Sequence, residues 1–448
     1  MANDNRERLK QWLASGEIQL QLLTFAQREL WESSPVPAAD ASNNICATIH
    51  IRGLLTPEGS EAALQKVVDR QEVFRLSFLP GKEGPLQMIR RSGKPVLVFQ
   101  DLDEDASVEE LAEEIFRRPF DLVSGPLYRA VVFRRAADDH VLVFAIHHAI
   151  ADGWTLGVFV QDLFAAYLQG VRGNHGPLSP VPQLYSSWGA AERAFWHKDE
   201  LEKRAAYWRG NLADAPRLWS PPLGKAARSG ELNRSISSVP ADLTTAVREL
   251  ARRNGATLFS ALLAAFQIAL SKWTGADDIV VGTPVANRGK RTVRETMGYC
   301  SGIVPLRGQI HPRRSFADTL QAVHRSTLES FANAMPFVEL VKAVGDSAAP
   351  GYNPVFEIRF ALQNHPVPDV AVPGLSLQLR MRSTGTARFD LACEITEHGE
   401  SLEVVWLFRD HLFPADEIER LSQTFPAVLA SVCESPEILT ATLVSSLS

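Results

Sequence analysis

The sequence predicts an α+β protein with mixed sheets, divided into two lobes. Its 448 residues, 45% hydrophobic and 22% charged, have ordinary globular composition and suffice for two domains. Strand-like and helix-like segments mix in both halves without regular βαβ alternation, which argues against a doubly wound sheet. The stretch from Gly170 to about Pro222 is rich in loop residues. We therefore predict an N-terminal lobe of residues 1–175 and a C-terminal lobe, which includes this connector, of residues 176–448.

The first lobe is predicted to begin with two helices. Residues 5–14 form a short polar segment, and a second helix starts at Pro57 with Thr56 as its N-cap. The apolar face of this second helix has three members: Leu64, Val67 and Val68.

A hairpin and a further helix complete the first lobe. Residues 127–133 and 141–146 are β-rich and flank a polar turn, which predicts an antiparallel hairpin. Apolar residues at helical spacing follow Gly153: Leu156, Val160, Leu163, Phe164 and Tyr167.

The connector and the second lobe have their own predicted elements. The aromatic residues of the connector are expected to pack on the protein: Trp188, Phe195, Trp196 and Trp208. An apolar core helix is predicted over 258–270. Four strands are predicted, the last two as a hairpin: 279–284, 355–362, 390–396 and 402–408.

Composition and charge exclude several classes of function. A net charge of −6 gives no sign of nucleic-acid binding. The four cysteines lie far apart, so we expect no zinc site or other metal site, no disulfide scaffold, and a reducing cytoplasm. The N-terminus lacks the apolar core of a secretory signal. Residues 258–270 are too short an apolar run to span a membrane, and Gln267 interrupts them.

The run VLVFAIHHAIADGW, from Val141 to Trp154, is the most informative part of the sequence. An apolar strand leads to His147 and His148, and Asp152 and Gly153 follow in an HHxxxDG pattern. Gly153 is expected to let the chain turn sharply and bring backbone N–H groups near the site. A neutral histidine at the mouth of a strand can accept a proton from a nucleophile or orient it. Acyl transfer from a thioester needs such a group. A purely structural interpretation makes the histidines strand-end residues and Asp152 a helix N-cap, but the full pattern favours chemistry.

Several other segments, in order along the chain, resemble the core motifs of condensation domains of nonribosomal peptide synthetases. Together with HHxxxDG, the resemblance covers almost the whole length: 23–31, 69–78, 119–127, 282–289, 297–307, 334–341, and 353–356 with 361–364. It implies two lobes related to chloramphenicol acetyltransferase, arranged as a V-shaped pseudo-dimer around a central tunnel. By position, His148 resembles the catalytic histidine. His147, Asp152 and Gly153 resemble supporting members of the motif, and Arg288 is a candidate ion-pair partner for Asp152.

The resemblance also implies partners. We expect an acyl or peptidyl carrier protein whose phosphopantetheine bears the donor thioester, a small-molecule or carrier-bound acceptor, no cofactor bound by the chain itself, and a monomer. The reaction would form an amide or ester in the biosynthesis of secondary metabolites such as antibiotics, of nonribosomal peptide or hybrid polyketide type. Without adenylation or carrier motifs, the chain is expected to be either a free-standing enzyme or an excised domain. The start at Met1 and the full set of motifs favour the free-standing enzyme.

Departures from the family pattern keep alternatives open. An aspartate is missing near 185–188, Cys300 and Ser301 replace the usual aromatic and small residues, and 332–334 lacks the usual His-Gln or Asn-Gln. One alternative is an acyl-CoA-dependent O- or N-acyltransferase of the wax-ester-synthase type. Another is a degenerate domain that serves as a carrier-docking platform.

Overall fold

The protein is described by a computed structural model over most of its length, and its class is α+β. The residues described are 2–33, 41–81, 84–103, 106–219, 232–345, 353–363, 370–372, 374–382 and 389–446. In these ranges the chain forms thirteen α-helices and fifteen β-strands. The predicted mixed α+β class is confirmed. Residues 220–222 of the predicted connector and Asn364 of the last predicted motif lie outside the described residues.

The chain divides into two compact units, each built from several segments. Unit 1 consists of Met1–Trp196, Ala286–Ser301 and His365–Thr386, and the rest of the chain is unit 2: His197–Val285, Gly302–Asn364 and Ala387–Ser448. Two later segments of the chain therefore belong with the N-terminal unit. The division into acetyltransferase-like lobes at residues 1–175 and 176–448 stays a prediction.

Unit 1 contains a large sheet and a small one. Its helices are α1 (Ala2–Ser15), α2 (Phe25–Ser33), α3 (Pro57–Arg70), α4 (Val108–Arg117), α5 (Gly153–Val171) and α6 (Tyr185–Phe195). Its strands are β1 (Ile18–Leu22), β2 (Asn44–Gly53), β3 (Leu76–Leu79), β4 (Leu86–Arg90), β5 (Leu97–Asp101), β6 (Tyr128–Ala136), β7 (Asp139–His147), β12 (Val370–Val372) and β13 (Leu375–Arg382). The large sheet has the order β12-β13-β2-β7-β6-β5, and the small one β1-β4-β3.

Strand β7 lies in the middle of the large sheet. The predicted hairpin is confirmed, since β6 and β7 pair antiparallel with Tyr128 opposite Ile146. On its other side β7 pairs with β2, which places Asn44 opposite His147. All nine residues of β7 are buried. This explains why its sequence is a continuous apolar run rather than an alternating one.

The helices α3 and α5 close one face of this sheet. The predicted N-cap is confirmed, because the Thr56 hydroxyl accepts a hydrogen bond from the Gly59 N–H (3.1 Å). The predicted apolar residues of α3 are all buried. On α5, Phe159 stacks on Phe144 of β7 with ring centroids 3.9 Å apart. Packing of this kind fixes the direction in which β7 delivers its last residue.

Unit 2 has a single six-stranded sheet. Its helices are α7 (Lys198–Asn211), α8 (Ala241–Arg253), α9 (Leu258–Thr274), α10 (Phe316–Ala332), α11 (Phe337–Val344), α12 (Ala415–Glu434) and α13 (Thr440–Ser446). Its strands are β8 (Leu232–Val239), β9 (Asp278–Val285), β10 (Gly302–Gln309), β11 (Ile358–Gln363), β14 (Leu391–His398) and β15 (Ser401–Arg409). They are ordered β10-β9-β11-β14-β15-β8.

The core of unit 2 forms around α9. This predicted core helix is confirmed: residues 260–271 are all buried, and Phe266 stacks on Phe360 of β11 at 4.8 Å between centroids. The predicted hairpin of β14 and β15 is also confirmed, with His398 opposite Ser401. Gly282 lies on β9 against Phe356, and a Cβ there would come within 2.1 Å of the phenylalanine ring. Only glycine fits at this position.

Two expectations need correction. The strand predicted over 355–362 begins only at Ile358, because residues 353–356 form a turn in which the Asn353 side chain accepts hydrogen bonds from the Val355 and Phe356 N–H groups. In the connector, Trp208 is fully buried, but Phe195 is 53% exposed and packs edge-on against Trp196. Being the last residue of α6, it extends beyond the buried face of that helix.

No single described helix is both long enough and apolar enough to span a membrane. One pair, α8 and α9, reaches the required length and composition together but is bent by 105°.

Candidate active site

The site begins where β7 ends. His147 is the last residue of the strand and is 2% exposed, so its ring is held inside unit 1. Its Nδ1 accepts a hydrogen bond from the N–H of Ala149 (3.1 Å), and its ring packs edge-on against Phe120. A histidine whose Nδ1 accepts from the backbone carries its proton on Nε2 when neutral. Burial and this bond give His147 a supporting position.

His148 is the first residue of a short 3₁₀ turn, His148–Ile150, that follows the strand. Unlike His147, it is only half-buried. Its ring lies against Tyr299, with centroids 4.3 Å apart and planes tilted by 56°. The sequence-adjacent histidines therefore have different environments, and His148 is the one with access to solvent.

Asp152 caps α5. Its Oδ1 accepts hydrogen bonds from the Thr155 N–H and hydroxyl, both at 3.1 Å. The Asp152 N–H in turn donates to the Thr155 hydroxyl (3.2 Å), which completes a capping box. This arrangement fixes the start of the helix that follows the histidine turn.

The other oxygen of Asp152 is bound by a distant segment of the chain. Oδ2 accepts from Arg288 Nη1 (2.5 Å) and from the N–H groups of Cys300 and Ser301 (3.1 Å each). The Asp152 side chain is 3% exposed and that of Arg288 is 1% exposed. The structure thus brings Asp152 and Arg288 together, and Asp152 is an N-cap and an ion-pair partner at once.

Electrostatics keep this pair charged. Burial alone would raise the pKa of Asp152, but Arg288 and the Cys300 N–H outweigh it and lower that pKa below its ordinary value. For Arg288, burial opposes the charge, yet Asp152 raises the pKa of the guanidinium above its usual range. Nη2 of Arg288 also donates to the carbonyl of Gly298 (3.1 Å). Both charges are therefore compensated inside the protein.

Gly153 has a different role from the one expected. It is the first residue of α5 and has helical backbone geometry. It is not among the glycines with positive φ. The sharp turn predicted at Gly153 is not found, because Asp152, in extended conformation, already ends the turn and starts the helix.

Residues of the second predicted motif hold the segment Ala286–Ser301 in place. Arg70 forms ion pairs with Asp162 of α5 and with Glu295. Gln71 accepts from the Met297 N–H (3.1 Å) and donates to Asp162 (2.8 Å). These contacts bring Arg288, Tyr299 and Cys300 to Asp152 and His148. The sequence alone did not predict that Arg70 and Gln71 hold this segment, because no local pattern connects residues such as Arg70 and Glu295, which are 225 positions apart.

Helix α6 supports the same segment. Tyr185, 1% exposed, donates its hydroxyl to the carbonyl of Tyr299 (3.1 Å). Its ring covers Gly298, where a Cβ would come within 2.2 Å. Glu192 accepts from the Phe25 N–H at the start of α2 (3.1 Å), and burial raises the pKa of Glu192 to about 7. The region that lacks the usual aspartate therefore packs around the site.

Metal binding has no support in the described part of the chain, where no group of three or more His, Cys, Asp or Glu side chains could hold an ion.

Comparison with known proteins identifies the family. The family model of the condensation domain matches residues 17–446. The chain belongs to the condensation-domain family. Condensation domains are acyltransferase-type enzymes that form amide bonds. The resemblance predicted from the motifs is confirmed.

Relatives and solved structures agree with this assignment. Phosphinothricin tripeptide synthetase PhsC from Streptomyces viridochromogenes is 31% identical over 427 residues, which are 92% of this chain and 39% of PhsC. The chain spans well under half the length of the first curated relatives that it matches.

Two solved structures share the fold over nearly the whole chain. The X-domain from teicoplanin biosynthesis in complex with OxyB has a TM-score of 0.83 at 20% identity and covers 96% of both chains. SgcC5 from Streptomyces globisporus, in complex with a naphthyl-1,2-ethanediol and sucrose, has a TM-score of 0.79 at 22% identity and covers 93% of this condensation domain and 100% of SgcC5. The predicted chloramphenicol-acetyltransferase-like fold is thereby confirmed.

Proposed function

We propose that this condensation domain transfers an acyl group from a carrier-protein phosphopantetheine thioester to an amine or hydroxyl, with His148 as the acid–base group. One observation carries the proposal. His148 is half-exposed at the end of a wholly buried strand, between a backbone turn held by His147 and the buried pair of Asp152 and Arg288. A solvent-accessible imidazole with so rigid a support suits proton transfer at a defined place.

The chemistry follows from the groups present. The acceptor nitrogen or oxygen attacks the thioester carbonyl carbon while His148 takes its proton, which gives a tetrahedral oxyanion. Collapse re-forms the carbonyl and breaks the carbon–sulfur bond. The proton held by His148 then goes to the departing thiolate. Amide or ester and free carrier thiol are the products.

Asp152 does not serve as a triad partner in this scheme. Its Oδ1 is bound by Thr155 and its Oδ2 by Arg288, Cys300 and Ser301. Five hydrogen bonds therefore occupy the two carboxylate oxygens. Its charge acts on the fold of the turn, and His148 works as a single base.

Donor and partner are inferred from the family. Large synthetases such as PhsC contain regions similar to this chain, which supports a carrier-bound donor and a place in secondary-metabolite or antibiotic biosynthesis, of nonribosomal peptide or hybrid polyketide type. On this proposal the phosphopantetheine belongs to the carrier, and the condensation domain acts as a monomer. All four cysteines are free, which supports a reducing cytoplasmic location.

Both acceptor classes have support. The relationship to a tripeptide synthetase favours an amine. The diol bound to SgcC5 favours a hydroxyl acceptor. The X-domain complex with OxyB is an example of this fold holding a partner protein, so a docking platform is the second candidate function.

Intact-mass measurement of acyl transfer tests the proposal. Purified enzyme is given an acylated carrier protein or the matching acyl-CoA, with a panel of amines and alcohols. We expect a specificity constant at least about tenfold higher for the carrier, because docking raises the effective concentration of the tethered thioester. Equal constants for both donors would favour the acyl-CoA-dependent transferase. Binding of the carrier with no transfer to any acceptor would favour the docking platform.

A further inference from the structure

A buried glutamine contacts the turn that carries His148. Gln27, on α2, is 0% exposed. Its Nε2 donates to the carbonyl of Ala149 (2.9 Å) and to the Gln87 side chain (3.2 Å), and its Oε1 accepts from the Thr24 N–H (3.0 Å). Both amide hydrogens and the amide oxygen are therefore used.

Ala149, the residue directly after His148, is held at both of its polar atoms. Its N–H donates to His147 Nδ1 (3.1 Å), and its carbonyl accepts from Gln27. Ala149 itself is 0% exposed. Two hydrogen bonds on one buried residue restrict rotation of the peptide units on either side of it. A displacement of about 1 Å in a reacting group can cost about 100-fold in rate.

The glutamine is itself positioned from two directions. The Gln27 N–H donates to the Thr24 hydroxyl (3.2 Å) at the start of α2. Gln87, on β4 of the small sheet, donates from Nε2 to the carbonyl of Leu22 (2.8 Å). The position of the Gln27 amide is thus set by α2 and by the small sheet, neither of which contains a residue of the HHxxxDG motif.

We infer that Gln27 is a positioning residue for His148, and that its function depends on the amide N–H donated to the Ala149 carbonyl. The inference rests on the proposed function of His148. It gives the small sheet and α2 a part in the chemistry: they hold the imidazole at the angle needed to take the acceptor's proton.

Two substitutions of Gln27 separate positioning from bulk packing. Gln27→Leu removes the donor and keeps most of the volume. We expect kcat to fall about 10- to 100-fold with KM for donor and acceptor within about twofold, because the loss concerns the transition state. Gln27→Glu replaces the donor by an ionisable group. An ionised carboxylate only accepts hydrogen bonds and repels the Ala149 carbonyl, whereas a protonated one donates.

We then measure the ratio of the turnover of Gln27→Glu to that of wild type as a function of pH. The temperature is one at which circular dichroism shows that both proteins are folded. It should rise as pH falls, by up to about tenfold per pH unit while the carboxyl is mostly ionised. A glutamine needed only for folding would give a flat ratio.

Gln267 provides a matched control. It is a buried glutamine on α9 of unit 2, 1% exposed, and in the described residues neither of its amide atoms has a hydrogen-bond partner. Gln267→Leu should leave kcat within about twofold of wild type, because no hydrogen bond is lost.

Any of three results overturns the inference. Gln27→Leu folds and its kcat stays within about twofold of wild type, or Gln267→Leu loses as much kcat as Gln27→Leu does. The third is a ratio of Gln27→Glu to wild-type turnover that does not change with pH. If Gln27→Leu does not fold, the pH ratio decides. His148→Ala is measured alongside. Its full activity would refute the proposed function, whereas an inactive His148→Ala with a fully active Gln27→Leu would refute only the positioning role.

Discussion

Each unit contains a well-formed aspartate–arginine ion pair, and the two pairs differ in their exposure to water. In unit 1, the side chains of Asp152 and Arg288 are 3% and 1% exposed. In unit 2, Asp278 and Arg307 are 18% and 14% exposed, and the guanidinium binds both carboxylate oxygens, at 2.8 and 2.6 Å. The geometry of the unit 2 pair is the more regular. The less exposed pair, in unit 1, is therefore not the one with the more regular geometry.

The difference lies in what surrounds each pair. Asp152 also accepts from three backbone N–H groups, of Thr155, Cys300 and Ser301. It thereby joins the start of α5 to residues 148 and 149 positions away in the sequence. Arg307 connects β10 with the end of α7 through the carbonyls of Asn211 and Ala213. Water can replace part of the unit 2 pair when it is broken. It cannot reach the pair beside His148, so that pair must stay intact for the turn to keep its shape.

Replacing the aspartate of each pair by alanine should give the largest difference in stability between the two pairs. We expect Asp152→Ala to lower the free energy of unfolding by about 3–5 kcal/mol, because it leaves the buried Arg288 guanidinium without its ion-pair partner and removes the acceptor of the Cys300 and Ser301 N–H groups. Asp278→Ala should cost about 1 kcal/mol, since Arg307 can turn partly to solvent. Urea denaturation followed by tryptophan fluorescence measures both. If Asp152→Ala unfolds like wild type yet is inactive, Asp152 belongs to the catalytic apparatus.

Acid should weaken both pairs. The pKa of each aspartate is lowered in the folded protein. A carboxyl with a depressed folded pKa contributes stability that is present above its unfolded pKa, about 3.9, and is lost as pH falls through the folded value. The difference in unfolding free energy between wild type and Asp152→Asn should therefore stay constant from about pH 7 to about pH 5 and shrink from there towards pH 3. A difference that also stays constant over the lower part of that range would show that the charge of Asp152 is not what stabilises the fold.

Added salt should change the stability cost of the two aspartate substitutions least of all. Here the pair in unit 2 should respond more than the pair in unit 1. The Debye length falls to about 3 Å at 1 M salt, and screening acts mainly on pairs that solvent reaches. Raising NaCl from 0.1 to 1 M should reduce the cost of Asp278→Ala by a few tenths of a kcal/mol and leave that of Asp152→Ala unchanged. Equal salt sensitivity would mean that water enters the Asp152 pair.

The same contrast separates what the sequence could predict from what it could not. Local periodicity and capping, which act over a few residues, predict the hairpins, the Thr56 cap, the core helix α9 and the body of β7. They do not give the ends of β7, which was predicted over 141–146 and is found as Asp139–His147. The position of His148 follows from the strand that precedes it. The pairing of Asp152 with Arg288 came from resemblance alone, since 136 residues separate the two.

Two features escaped sequence reasoning for this reason. The return of residues 286–301 to unit 1 depends on Arg70 and Gln71, and the support of the turn by Gln27 depends on a contact across 122 residues. Such contacts leave no periodic pattern in one sequence. The sharp turn predicted at Gly153 was wrong because the extended Asp152 had already changed the direction of the chain.

Single-turnover transfer by His148→Ala tests the central claim most directly. The reaction is followed by intact mass, with enzyme in excess over the acylated carrier protein and with a saturating acceptor. The matched control is His175→Ala, at an exposed histidine in the loop after α5. We predict a rate lower by about two to four orders of magnitude for His148→Ala, the usual range for a positioned acid–base group, and an unchanged rate for His175→Ala. Transfer by folded His148→Ala at the wild-type rate would contradict the account.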